Sequence, residues 1–385
     1  MSPGSAAVVG AGLGGLTAAV ALQRAGWRVR VYEQAERLGE VGAGISVSPG
    51  AGRSLESLGL GPALLAASDP VPDVAFADYA TGALLAGTLQ KAPPVDRGFE
   101  EARHIHRADL HALLLDAVVA ADPDAVVTGR RLVDVADDGS TVTMGFVDGS
   151  SAVADLLIGA DGSRSAVRAA LFGPGAPVFA GQVAYRCLIP RAIAEPYLGA
   201  GSAVVSVGPS RIFHRYLIRH GALVNVIGIA RTDAWTGEGW NTPATTQEFL
   251  ELYADFNADV RGLIACAPPA SLIKWALYVR PPLETWSRGR VTLLGDAAHP
   301  ILPFLGLGAA LAIEDGVVLA QALEGADDIE GALVTFQGLR QDRVETVRTQ
   351  TIRQGEIIQG DAPDAKTIAA SPSQDQRLFQ YDPTG

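Results

Sequence analysis

An α/β chain is predicted by three stretches in which an apolar, strand-like run breaks at a glycine turn and resumes with helical spacing, at residues 7–26, 155–168 and 290–323. The first reads AVVGAGLGG and continues as LTAAVALQRAG, the strand, tight turn and helix start of a Rossmann-like dinucleotide-binding unit. Gly10 permits the sharp turn, Gly12 lets the backbone approach a pyrophosphate, and Gly15, beside Gly14, allows close helix–strand packing. The helix N-terminus turns unpaired N–H groups toward phosphate oxygens. The second strand, WRVRVYE, ends at Glu33, 21 residues after Gly12, where a carboxylate accepts hydrogen bonds from both ribose hydroxyls.

The 385 residues suffice for two domains, or for one nucleotide domain with a sizeable insertion. A net charge of −12, a pI near 5.0 and the lack of a Lys/Arg-rich run leave no electrostatic footprint for nucleic acid. Cys187 and Cys266 stand apart with no metal-ligand spacing, so neither a zinc site nor a disulfide framework is expected; Cys187 reads as a small buried hydrophobe. No basic segment precedes the first apolar stretch, and glycines interrupt it. The sequence therefore predicts neither signal peptide nor membrane span, and a cytoplasmic monomer or homodimer.

In chain order, QAERLGEVGAGISVSPGAGRSLESLGLG reads as a loop folded against a ligand, with a helix from about Gly50. Residues 71–101 read as short alternating strands with Pro93 and Pro94. IHRADLHALLLDAVVAA then returns to helical spacing, starting at Ala108 or Asp109; Arg107 just ahead either reaches a phosphate or forms a surface ion pair. Three strands with turns at 137–139 and 148–149 predict an antiparallel meander between residues 126 and 153. In DLLIGADGSRSAVR a strand reaches Gly159, Asp161 and Gly162, and a helix begins over 163–168. In the third stretch a strand over 291–294 stops at Gly295, Asp296 follows, and a proline loop leads to Gly308 and a long apolar helix.

Residues 178–275 carry alternating strands such as ALVNVIGIAR and one helix, TTQEFLELYADF, and are read as a sheet-rich insertion supplying a substrate face. One amphipathic helix runs from Ile329 to about Ile358, and the tail with Pro363, Pro372 and Pro383 is predicted to be irregular and frayed. The division is a nucleotide-binding domain from 1–72, 102–177 and 276–360, a substrate domain from 73–101 and 178–275, and a tail over 361–385. Three glycine turns at strand ends converge on one extended ligand. Asp296, before a helix N-terminus, binds a ribityl or ribose hydroxyl and aims backbone amides at a flavin ring, or else caps a helix. Asp161 either braces the phosphate turns or touches the cofactor through water.

On these motifs the chain resembles the single-component FAD-dependent aromatic hydroxylases with the p-hydroxybenzoate hydroxylase fold. The resemblance runs from GAGLGG with Glu33, through VGAGI and HRADLH, to IGADGSRSAVR, WSRGRVTLLGDAAHP and AIEDGVVLAQAL. Within that family it is similar to the salicylate, 3-hydroxybenzoate and 6-hydroxynicotinate hydroxylases, through its GAGI, AYRCLIP and GDAAHP segments. The resemblance implies a Rossmann-like FAD-binding domain with an inserted sheet-rich substrate domain and a long C-terminal helix. It also implies FAD, NADH or NADPH as co-substrate, and O2, with hydroxylation of an aromatic or heteroaromatic ring through a C4a-hydroperoxyflavin. Epoxidation, Baeyer–Villiger insertion, decarboxylative hydroxylation and an NAD(P)H oxidase or sensor without productive oxygenation are the alternatives on the same fold. A dehydrogenase binding only NAD is disfavoured by the second and third glycine turns.

Carried over by resemblance, the pyrophosphate lies against Gly10, Gly12, Gly14 and Gly15, the adenosine ribose on Glu33, and a phosphate or ribityl contact on Arg107. Leu132 matches a backbone contact to adenine, Asp296 the ribityl or pyrophosphate aspartate, and Gly308 with Ala309 the amides beside the isoalloxazine; Ser46 and Asp161 join this cofactor set. Tyr216 matches a tyrosine that faces substrate. The chain departs from the family at its base: Ile212 stands where relatives carry histidine, Phe304 where another does, and Pro303 and Leu307 at glutamine positions. Gly50 replaces a usual asparagine and Val279 a usual aspartate. His214 shares a strand face with Tyr216 and is the remaining candidate base, while His299 reads as a structural histidine holding its loop. The pocket set Ile212, Pro303, Phe304 and Leu307 predicts a more apolar or pre-activated ring than a simple hydroxybenzoate. Arg186 or Arg211 is available for a carboxylate, each with an ion-pair alternative.

Overall fold

The computed structural model describes residues 3–39, 42–71, 73–91, 99–233, 235, 242–361 and 363–383. Pro93 and Pro94 of the predicted short strands, and Val41 of the VGAGI segment, lie outside them. The three apolar runs form adjacent central strands of one sheet because their residues are buried on both faces, as a parallel sheet covered by helices requires. The strand order is Ser287–Arg288, Val291–Leu293, Leu156–Gly159, Ser5–Val9, Arg28–Tyr32 and Val126–Val127; all neighbours are parallel except at the Ser287–Arg288 edge. All three glycine turns therefore leave the carboxyl ends of neighbouring strands, where open α/β sheets bind ligands.

Helices Leu13–Arg24 and Gly308–Glu324 pack together on one face of this sheet. Their approach needs Gly316, where a Cβ would sit 2.7 Å from the Ala18 nitrogen. The predicted meander is Leu132–Asp137, Val142–Phe146 and Ser151–Ala154, whereas Val126–Val127 joins the parallel sheet instead. The helix expected over 163–168 starts later, as Ala166–Phe172, because Ser165 and Asp161 accept hydrogen bonds from its first amides. The helix predicted from Ala108 or Asp109 begins at Arg107, with His106 Nδ1 accepting from the Ala108 N–H at 3.2 Å.

A second sheet has eight strands, in the order Thr242–Pro243, Ile273–Val279, Val178–Pro190, Leu223–Arg231, Arg211–Ile218, Ala203–Gly208, Asp73–Asp78 and Gln90–Lys91. Side chains alternate across it. Phe213 packs outward with Phe249, Tyr253 and Phe256, whereas Ile212 packs on the opposite face with Phe76, Val205 and Ile229. The helix expected over TTQEFLELYADF is Thr246–Leu252, and a further helix, Ala258–Ala265, follows it on the same outer face. Thr245 and Glu248 form a capping box on the first, and the Asn257 side chain accepts from the first amides of the second, so the chain restarts there. Among the described residues no helix is long and apolar enough to cross a membrane.

The long helix spans Ile329–Ile358 as predicted, but the tail after it is not frayed. It forms the helix Ala365–Ala369 and two short 3-10 turns, and it buries Ile368, Ser371 and Leu378, because these side chains fill gaps beside the long helix that the proline count alone does not reveal. Both cysteines are free, and burial pushes the Cys187 thiol up to about 12, leaving it inert.

Between the Gly308 helix and the long helix lies a buried charge cluster. Arg340 reaches Asp315 and Glu314 at 2.8 Å each, and Arg343 reaches Glu314 at 3.4 Å. Asp315 also accepts from His299 Nε2 at 2.7 Å and from the Gly295 N–H at 2.9 Å, which ties the third glycine turn to both helices. Burial pushes the Asp315 carboxyl up, and His299, Arg340 and the Gly295 amide more than offset this, bringing it to about 2. A folded pKa below the unfolded value of about 3.9 stabilises the fold above that pH, and this stabilisation is lost as pH falls toward the folded value. Asp315→Asn is expected to cost about 3–5 kcal/mol near neutrality, since it leaves the buried Arg340 cation with one of its two counter-charges removed. In urea unfolding, the gap between wild type and variant should narrow by about 2 kcal/mol from pH ~5 to ~2. A gap that stays constant over that range would contradict the assignment.

Candidate active site

A cavity of about 560 Å³ lies where the carboxyl ends of the parallel strands meet the inner face of the eight-stranded sheet. Four helices have twelve or more residues, among those described. Arg107–Ala121 and Ile329–Ile358 have side-chain caps, from His106 and Asp328. Leu13–Arg24 and Gly308–Glu324 have none, and both of these begin on the cavity. Two uncapped N-termini leave backbone N–H groups and positive dipole ends facing one space, which suits a ligand rich in anionic and carbonyl oxygens.

The glycines divide into two roles. A Cβ on Gly12 would meet nothing within 4 Å, and one on Gly162 likewise, so these residues form an open cradle at the cavity. A Cβ on Gly15 would sit 2.0 Å from the Gly10 oxygen, so Gly15 is required by helix–strand packing. Asp296 is exposed and lines the cavity. Desolvation by the protein around it pushes its carboxyl up, and His299 and Arg107 pull it back down. Arg107, Ser46, Gly14, Gly308 and Ala309 line the same space.

Ile212, His214 and Tyr216 lie in a row on strand Arg211–Ile218 and all reach the cavity. The Tyr216 ring stands 4.0 Å from His104 and 4.9 Å from His214, centroid to centroid. Burial lowers the two imidazoles to about 3 and about 4 respectively, so both are neutral at physiological pH. Burial raises the Tyr216 phenol, with Arg186 opposing, and the hydroxyl stays a neutral donor. Arg186 lies over the Trp275 ring at 5.0 Å and lines the cavity with Pro303, Phe304 and Leu307. Arg211 does not; it forms a bidentate pair with Asp255 at 2.8 and 2.7 Å.

Gly10, Gly15, Glu33, Leu132 and Asp161 are not among the lining residues. Glu33 accepts from the Ala11 and Ala35 amides, at 2.9 Å each, and so braces the first glycine turn. Leu132 is buried in the core of the parallel sheet. The Asp161 carboxylate accepts from the Ala166 and Val167 amides at 2.6 and 3.2 Å, so it caps its helix, while its neighbours Ala160 and Gly162 face the cavity. Sequence reasoning missed two residues. His104 is one, although alternation along RHIH beside the HRADLH motif would have placed it two residues from His106 on one face. Arg168 is the other: its guanidinium donates to the Ala297 and Ala298 carbonyls at 3.1 and 3.0 Å and joins the second glycine turn's helix to the third turn.

An open glycine cradle, two uncapped helix ends and a cavity-facing aspartate at the ends of parallel strands define a dinucleotide-cofactor protein, and they fit FAD. The chain belongs to the FAD binding domain family, which matches residues 5–184 and 237–333. It is 36% identical to 3-amino-4-hydroxybenzoate 2-monooxygenase of Streptomyces platensis over 97% of this chain and 94% of that one. It is likewise 36% identical to 6-hydroxynicotinate 3-monooxygenase of Pseudomonas fluorescens over 89% of each. Among solved structures it resembles Klebsiella pneumoniae HpxO complexed with FAD and uric acid, with a TM-score of 0.84 and 30% identity over 98% of this chain and 93% of that one. It is thus an FAD-dependent aromatic monooxygenase of the p-hydroxybenzoate hydroxylase fold, with FAD as cofactor and NAD(P)H as reductant.

The two glycine roles separate experimentally. Gly12→Val is expected to weaken FAD binding by about 100-fold or more, read by flavin fluorescence, while leaving the apoprotein's melting temperature unchanged. Gly15→Ala should instead destabilise the apoprotein itself by about 3 kcal/mol. Equal effects of the two substitutions on apoprotein stability would show that Gly12 is also a packing glycine.

Proposed function

We propose that the chain hydroxylates an electron-rich aromatic or heteroaromatic ring that already carries a hydroxyl or amino group, with the ring held against the wall of His104, Tyr216 and His214. The observation that carries this reading is the wall itself: the His104 and His214 rings lie 4.0 and 4.9 Å from the Tyr216 ring, and the buried His214 Nε2 has no hydrogen-bond partner among the described residues. A histidine titrating near 4 is a weak acceptor for a phenolic proton of pKa about 10, so it hydrogen-bonds the ring hydroxyl without removing the proton in the ground state. The ring therefore brings its own activation. This supports the pre-activated substrate expected from Ile212, Pro303, Phe304 and Leu307, and the polar wall narrows the apolar part of that expectation.

Bound FAD supplies the redox chemistry, accepting electrons from NAD(P)H and activating O2. Gly12 and Gly14 with Arg107 would hold its phosphates, Asp296 its ribityl or ribose hydroxyls, and the Gly308 and Ala309 amides the isoalloxazine edge. Glu33, Asp161 and Arg168 hold those groups in place. Tyr216 donates to an oxygen on the ring, His214 accepts from a ring hydroxyl or amino group, and the apolar residues around them exclude water. In this reading residues 1–72, 102–177 and 276–360 form the FAD-binding domain and 73–101 with 178–275 the substrate domain, in a cytoplasmic enzyme.

FAD-loaded protein tested against aminophenols, hydroxybenzoates and hydroxypyridines should oxidise NAD(P)H without matching peroxide for at least one amino- or hydroxy-activated ring. Peroxide equal to NAD(P)H consumed across the whole panel would contradict the proposal. His214→Ala should lower the coupled rate by about 100-fold with FAD affinity unchanged. The pH profile of that rate should show no acid limb near 6.5, because His214 and His104 titrate near 4 and 3, and should fall only as pH drops below about 5. An acid limb centred near 6.5 would contradict a neutral, buried His214.

A further inference from the structure

One wall of the cavity comes from neither sheet. Ser373, Gln376, Phe379 and Gln380 of the tail line it. The tail crosses from one core to the other. Ile368 is fully buried with Phe76, Ile212 and Ile358 beside the eight-stranded sheet, whereas Leu378 is buried in the core of the parallel sheet. Between these anchors the Ser373 N–H donates to Gln354 Oε1 at 3.0 Å, and just past the second Gln380 Nε2 donates to the Glu100 carbonyl oxygen at 2.9 Å.

The far end is locked by charge and by shape. The Tyr381 ring lies 4.7 Å from the Arg343 guanidinium and 5.2 Å from that of Arg340, the two cations of the buried cluster. Arg53 Nη2 donates to the Gln380 and Tyr381 carbonyls at 2.9 and 2.8 Å. Gly50 makes this approach feasible: a Cβ there would sit 2.4 Å from the Tyr381 oxygen. At the position where the family usually carries asparagine, this chain has the residue that admits its own tail.

We propose that residues 371–381 are a strap of the active site, closing the cavity over the flavin and the bound ring, with Tyr381 as the positioning residue that holds the strap shut on Arg340 and Arg343. This rests on the reading of the cavity as the FAD and ring site. Closure keeps water from the flavin, so that oxygen is delivered to the ring and not released as peroxide. Phe379, on the strap itself, helps set which rings fit.

The test uses FAD-loaded wild type, Tyr381→Ala and Tyr381→Phe. Trypsin cleavage at Arg377, an exposed residue within the strap, reports strap opening when followed by mass spectrometry. Loss of the cation–π stack should raise that cleavage rate about tenfold in Tyr381→Ala, while Tyr381→Phe, which keeps a ring, stays near wild type. Iodide quenching of the bound flavin's fluorescence should rise with the cleavage rate, at unchanged FAD affinity. Cleavage of Tyr381→Ala at the wild-type rate, or faster cleavage with unaltered quenching, would overturn the strap. Failure of the wild type to bind FAD would overturn the functional reading instead, and the trypsin comparison would still decide whether Tyr381 holds the segment.

Discussion

The carboxylate of Asp315 is the contact on which the site's geometry depends. It is wholly buried, and it binds the Gly295 amide, His299 and Arg340 at once. An unpaired carboxylate in this position would cost several kcal/mol, so the three partners are fixed together. Their positions fix the turn that presents Asp296, the start of the Gly308 helix and the register of the long helix. Arg340 and Arg343 in turn face the Tyr381 ring, so the same cluster extends to the tail. A cluster of two acids and two arginines buried this deeply adds little net stability over a well-packed apolar core. Its value lies in orientation: charged groups that must meet their partners leave the third glycine turn one conformation.

Around that fixed point the glycine turns bring mostly backbone to the cavity. Gly15 and Gly316 bring helices against strand and helix with no room for a side chain, while Gly12 and Gly162 leave space open toward the cavity. The acidic side chains nearby mostly serve the backbone. Glu33 holds the Ala11 amide and Asp161 caps its helix, so both glycine turns are tied down by hydrogen bonds within the protein. The opposite wall works differently: the strand of Ile212, His214 and Tyr216 presents uncharged hydrogen-bonding groups in an apolar setting, where polar contacts to a ring are strong and specific.

Much of this was legible in the sequence. The parallel core and the three turns were readable because glycine, apolar run and helical spacing are local signals, and the long helix ran from Ile329 to Ile358 as the periodicity required. His214 and Tyr216 share a face by simple alternation. What local pattern does not carry is partnership across the chain. Nothing near Asp161 announces that its oxygens are taken by Ala166 and Val167, and nothing near Arg211 announces Asp255, 44 residues away. The tail was misread for the same reason. Its prolines suggested irregularity, while its order comes from Arg340, Arg343 and Arg53, which belong to other helices. Gly50 looked like a lost polar contact until the Tyr381 carbonyl explained it.

In the proposed reading the two uncapped helix ends and Asp296 together hold FAD. A crystal structure of the FAD complex tests it most directly. The pyrophosphate is expected within hydrogen-bonding distance of the amides that follow Gly12, a ribityl or ribose hydroxyl on Asp296, and the isoalloxazine beside the Gly308 and Ala309 amides, facing Tyr216. A flavin bound with its phosphates away from the Leu13–Arg24 helix, or with Asp296 making no contact to it, would contradict this binding mode.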